Sequence, residues 1–163
     1  MRMDKLTAAF QKAIADAQSL AVGRDHQVIE PVHLMAALLE QEGGTVRGLL
    51  TKAGANMNLL RSQLGEALDR LPTVEGTHGD VHLSNELSKL LNVTDKLAQD
   101  RGDKFIPSEL VVLAALQSKS ELGRILEKAG VVKGAVERAI DEIRGGSKVE
   151  DANAEEQRQS LEK

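Results

Sequence analysis

The sequence predicts an all-α fold of two pseudo-symmetric four-helix repeats, about eight helices in all, and three observations predict it. Two apolar stretches, Ile29–Leu39 (IEPVHLMAALL) and Ile106–Leu116 (IPSELVVLAAL), match at a shift of 77 residues. LLTKAG at Leu49–Gly54 returns as ILEKAG at Ile125–Gly130, now at a shift of 76. A period near 76 with helix–turn–helix content means two like halves, and one residue has been lost between the copies. Strands are poorly supported: no stretch alternates for long, and β-branched residues never cluster beyond a pair.

In chain order, Leu6, Phe10, Ala13, Ala17 and Leu20 recur at helical spacing and predict a first helix from about Asp4 to Val22. Asp4 is its expected N-cap, and Gly23 its left-handed C-terminal turn. Pro31 starts a second helix reaching about Gln41, stopped by Gly43-Gly44. Thr45 caps a short third helix ending at Gly54. Asn56 or Asn58 caps a fourth, with Leu60, Leu64, Ala67, Leu68 and Leu71 on one face, and Pro72 ends it. Residues 72–83, with Gly76 and Gly79, read as the connector between repeat one (about 4–71) and repeat two (about 84–146).

In the second copy Ser84 caps a fifth helix carrying Leu87, Leu90, Leu91, Thr94 and Ala98, which ends at Gly102. Ser108 caps the sixth, whose seven consecutive apolar residues Leu110–Leu116 leave no polar face. Such a helix sits between other elements or exposes apolar surface for a purpose. At 77 the alignment pairs Ile29 with Ile106; at 76 it pairs Pro31 with Pro107 instead, and 77 keeps both isoleucines and both Ala-x-Leu endings in phase. Ser118 or Ser120 caps a seventh helix, and an eighth carrying Val136, Ala139, Ile140 and Ile143 closes at Gly145-Gly146. The folded domain is thus 1–146. Residues 147–163 hold too few apolar side chains to order themselves and read as a polar linker.

The composition narrows function. A chain of 163 residues suffices for one domain with a real core. There are no cysteines, so disulfides and thiolate metal sites are excluded. No apolar run approaches the ~20 residues of a membrane span, and Arg2, Asp4, Lys5, Lys12 and Asp16 leave no signal-peptide core. A soluble, cytoplasmic protein without membrane contact is expected. The net charge is −4, no Lys/Arg run occurs, and Phe10 and Phe105 are the only aromatics. Nucleic-acid binding needs a basic stripe and stacking rings, so no nucleic-acid partner is expected.

Catalytic constellations are absent. His78 and His82 have His-x-x-x-His spacing, but Gly79 between them breaks any helical face. His33 on the second helix reads as a satisfied structural residue. No serine lies in a Gly-x-Ser-x-Gly turn, and no GxxxxGK[ST] phosphate loop is present. No metal, catalytic residue or cofactor is expected in this domain.

MRMDKLTAAFQ, IEPVHLMAALL, LLTKAG, the LPTVEG connector and RGDKFIPSELVVLAAL, in that order and with the doubled pattern, resemble the amino-terminal domain of the ClpB-type Clp (AAA+) bacterial disaggregase chaperones. The likeness covers the whole chain. The family pattern often has Glu-His-Leu at the start of each central helix; here the copies read Val32-His33-Leu34 and Glu109-Leu110-Val111. The resemblance implies a mobile domain on a hexameric ATPase ring that helps engage unfolded or aggregated polypeptides. ATP and magnesium would belong to ATPase modules further along the parent chain, and the isolated domain is expected to be a monomer.

The resemblance also places polypeptide binding at Thr7, Leu91, Asp103, Glu109 and Leu110. On that reading Leu91 and Leu110 show apolar surface to water, and Thr7, Asp103 and Glu109 rim the groove. The structural alternatives are that the leucines are core, that the carboxylates serve the helix dipole, and that Thr7 is a plain helix-surface residue. A rival function is docking of a dedicated adaptor, as on protease-linked Clp unfoldases. A helical DNA-binding module is the third reading, disfavoured by charge.

Overall fold

The computed structural model describes residues 3–75, 80–145 and 148–153. Among these residues there are eight α-helices in two sets of four. Repeat one holds α1 (Ala8–Gly23), α2 (Pro31–Glu40), α3 (Thr45–Lys52) and α4 (Met57–Arg70). Repeat two holds α5 (Asn85–Asp100), α6 (Leu110–Gln117), α7 (Glu121–Lys128) and α8 (Lys133–Arg144). Adding 77 to the bounds of α1 gives α5, and adding 76 to those of α3 gives α7. The missing residue therefore falls in the turn after the central helix, where 41–44 in copy one becomes 118–120 in copy two.

That shorter turn has a packing consequence. It draws α7 against the end of α6, so a Cβ at Gly123 would overlap the Ala115 carbonyl oxygen and lie 2.7 Å from that of Ser118. Only glycine fits there without a shift of backbone. Copy one has Arg47 at the equivalent position, where the longer turn leaves room.

Two small pairings lock the halves together. β1 (Val28–Ile29), just before α2, pairs in parallel with β2 (His82–Leu83), just before α5. A parallel bridge joins Leu6, before α1, to Ile106, before α6. Under the shift of 77 the pairs Ile29–Leu83 and Leu6–Ile106 exchange places. The same holds for the Thr7 N–H bond to the Ile106 carbonyl and the Ser84 N–H bond to the Ile29 carbonyl. The register of 77 is thereby the one the fold uses in this region. Short strands, unsupported by the sequence, exist because each copy's leading segment needs partners for its backbone groups and takes them from the other copy.

The bridge also corrects the first helix boundary. Pairing of Leu6 keeps the chain extended, so α1 begins at Ala8 and its N-cap is Thr7, not Asp4. The Thr7 hydroxyl accepts from the Phe10 N–H at 3.2 Å, as the Ser84 hydroxyl accepts from Leu87 at 3.0 Å. Asn56 caps α4 and Ser120 caps α7 in the same way. The left-handed residue after α1 is Asp25, with φ 60°, and Gly23 stays helical. At α6 the N-cap position falls to Glu109, already helical in φ and ψ, and not to Ser108. Gly145 closes α8 in the left-handed conformation.

The core is one continuous cluster reaching from Leu6 to Ile140 through both repeats. Both central helices sit inside it: α2 packs against α1, α3, α4 and α5, and α6 against α5, α7 and α8. Leu110 to Ala115 are all buried. The apolar-all-round helix is thus an internal strut.

Candidate functional site

The residues flagged in sequence are gathered by the fold but closed to solvent. Leu110 is 0% exposed and Leu91 is 2% exposed, and both belong to the continuous core. The expectation that they face water is corrected: α6 is covered on every side, and Leu91 lies on the face of α5 that packs on it. Thr7 is buried as the α1 cap, not exposed on a helix surface. The Asp103 and Glu109 side chains are also fully buried, so they do not rim an open groove.

What sinks the two carboxylates is Arg144, from the last turn of α8. Its Nε donates to Glu109 Oε1 at 2.8 Å, and its Nη1 donates to Asp103 Oδ1 at 3.0 Å. Burial pulls the Arg144 pKa down, but the Glu109 charge and the hydrogen bonds to both carboxylates outweigh it, and the net shift is upward. The guanidinium is therefore charged at every working pH. Sequence reading missed Arg144. The signal was its phase: it continues the stripe Val136–Ile140 by four more residues, on the inward face of α8.

Copy one fills the same place differently. Asp103, Leu110 and Arg144 correspond to His26, His33 and Leu68. His26 Nδ1 lies 2.8 Å from His33 Nε2, and His33 Nδ1 accepts from the Glu30 N–H at 2.8 Å. This network assigns the His33 proton to Nε2, which donates to His26. Burial, with smaller effects of His26 and Arg24, pushes the His33 pKa down to about 4. Burial and Arg24 lower His26 as well, against an opposing push from Asp25. His33 is satisfied inside the fold, as its sequence context suggests. His78 lies outside the described residues.

Above the Arg144 cluster runs the segment 148–153, read from sequence as linker. It is partly docked, because it supplies backbone partners that this end of the domain otherwise lacks. The Val149 carbonyl accepts from the Lys104 N–H at 2.7 Å and the Phe105 N–H at 3.2 Å. The Val149 N–H donates to Asp103 Oδ1 at 2.8 Å. The Ala152 carbonyl accepts from the Ala8 N–H, the first residue of α1, at 2.8 Å. Residues 154–163 of the expected linker lie outside the described residues, as do Gly76 and Gly79 of the connector.

An open apolar furrow exists elsewhere. It has a volume of about 540 Å³, with Leu20, Ala36, Ala37 and Leu68 along its floor and Lys12, Arg24 and Glu40 at its rim. It lies on repeat one, away from Leu110. Among the described residues no cluster of His, Asp and Glu could hold a metal ion, and no helix is long and apolar enough to cross a membrane.

Comparison with known proteins adds the following. The family described as Clp repeat (R) N-terminal domain matches residues 5–160. The chain is 55% identical over its full length to the chaperone protein ClpB of Pseudomonas putida, and spans 19% of that protein. It is 56% identical over its full length to the ClpB of Vibrio cholerae, again spanning 19% of it. Among solved structures it is similar to the Hsp104 N-terminal domain from Candida albicans. That match has a TM-score of 0.80 at 19% identity, covering 93% of this chain and 99% of the other. A complex of the ClpV N-domain with a VipB peptide matches with a TM-score of 0.71 at 23% identity, covering 88% and 89%.

Proposed function

The chain belongs to the Clp repeat N-terminal domain family and is similar to the amino-terminal fifth of ClpB chaperones, and from that premise we propose that it engages polypeptide for a ClpB-type disaggregase. It weakly binds exposed apolar segments of unfolded or aggregated proteins. It then helps pass them to ATPase modules of the parent chain, assembled as a hexamer and holding the ATP and magnesium. The domain itself does no chemistry.

The observation that carries this reading is the edge formed by Ala8, Asp103, Lys104 and Phe105. That edge already holds a stretch of chain by main-chain hydrogen bonds, one of them to the Asp103 carboxylate, and one buried valine. Main-chain recognition of this kind demands little of a client's sequence. Of the residues first flagged, Thr7, Asp103 and Glu109 position the edge, and Leu91 and Leu110 support it from the core.

Titrating the isotope-labelled chain with a permanently unfolded, reduced and carboxymethylated protein tests the reading. The expected outcome is saturable binding in the range of about 10 μM to 1 mM, with the largest amide shifts at Ala8, Lys104 and Phe105. No response to unfolded protein, together with tight binding of a single folded partner, would favour adaptor docking instead. Shifts confined to Leu20, Ala36 and Ala37 would move the site to the open furrow.

A further inference from the structure

Building on that reading of the edge, we propose that residues 148–152 are an internal strap: they occupy the polypeptide-binding edge of the unloaded domain and are exchanged for an extended client segment. The strap uses the edge as a client would. Its Val149 carbonyl takes both the Lys104 and Phe105 N–H groups, its Val149 N–H meets Asp103, and its Ala152 carbonyl takes the free N–H at the start of α1. Those donors need an acceptor at all times, so strap and client exclude each other.

The packing sets the strap apart from the body of the domain. Val149 is 2% exposed, yet it does not belong to the continuous core cluster of the two repeats. Lys148, Glu150, Asp151 and Asn153 are exposed, so the strap is held by the buried Val149, the Lys148 side chain lying along Gly102, and a few hydrogen bonds. Such an attachment comes away without disturbing the helices. The repeat supplies an internal comparison. A shift of 76 sets Val149 against Thr73, in the segment that runs back over the equivalent loop of copy one through the Val74 N–H bond to the Asp25 carbonyl. Thr73 and Val74 are exposed there, so neither is buried as Val149 is.

The occupant follows from these contacts. It is a polypeptide segment offering one carbonyl to the paired N–H groups, one N–H to Asp103 and a branched apolar side chain in the buried place of Val149. An acidic or purely polar segment would lack that side chain.

The test uses two variants of the 163-residue chain: Val149→Asp, and replacement of residues 148–152 by an equal length of Gly and Ser. The Gly/Ser form places no charge at the buried Val149 position, so it decides the matter if Val149→Asp folds poorly. A strap docked nine-tenths of the time weakens apparent client affinity about tenfold. Both variants should therefore bind the unfolded protein about tenfold more tightly than the parent chain. Hydrogen exchange at Lys104 and Phe105 should be faster in the free variants and slowed again by client. Unchanged or weaker client binding in the variants overturns the strap and leaves the polypeptide-engaging function standing. If the parent chain and both variants all fail to bind client, the function falls with it.

Discussion

Arg144 holds the charged part of the candidate site together. It pairs with two buried carboxylate side chains, and removing one partner of a buried ion cluster costs about 3–5 kcal/mol. Arg144→Leu, which installs the copy-one residue, should therefore lower stability by about that amount in urea unfolding. Adding Asp103→Asn and Glu109→Val removes the stranded charges, and the triple variant should be more stable than the single one. The histidine pair sets a pH dependence of known sign. His33 has its pKa depressed to about 4 from an ordinary 6.5, so the unfolded chain takes up its proton first as pH falls. Stability from this group is complete above pH 6.5 and drains as pH falls toward 4. By pH 5 the loss is about 2 kcal/mol. His33→Leu, the copy-two residue, should flatten the profile between pH 6.5 and 5. At this scale the sequence was only half legible. Asp103 and Glu109 were found through family likeness, but nothing in their local pattern tells a buried carboxylate from one on a helix end. The deciding partner lies 35 residues from Glu109.

The central helices and their turns explain where glycine is required and where it is spare. Gly123 meets backbone on its open side, so Gly123→Ala should destabilise by about 1–3 kcal/mol through overpacking. Gly48, in the exposed middle of α3, has nothing within 4 Å of a would-be Cβ. Gly48→Ala should instead stabilise by about 0.5–1 kcal/mol. Thermal melts of the two variants, moving in opposite directions, check the account. Helix existence was readable because periodicity and caps agree in most elements. The start of α1 was not: Asp4 has the chemistry of a cap, but the Leu6–Ile106 bridge, an interaction across the whole domain, overrules it. The docking of 148–152 was hidden for a related reason. One valine among polar residues gives no periodic signal, and its partners are mostly main-chain groups.

As a whole the molecule is two copies that cannot be separated cleanly. α3 packs on α8 and α4 on α7, the two leading segments are exchanged, and the core is continuous. Calorimetry should therefore show one transition, with van't Hoff and calorimetric enthalpies equal, and residues 3–75 alone should give no cooperative melt. Two separate transitions would contradict the shared core. The doubling itself was visible in sequence at both shifts, and the turn that absorbs the lost residue was not, since no motif marks it.

The exchanged leading segments bear on how the chain is made. Thr7 donates to a carbonyl roughly a hundred residues downstream, and Ala8 to one further still, at Ala152. A ribosome adds about 5–20 residues per second, so Thr7 waits about 5–20 s for Ile106 to be made. During that interval Leu6 lacks Ile106, its partner across the domain, and the segment before the first helix stays unpaired.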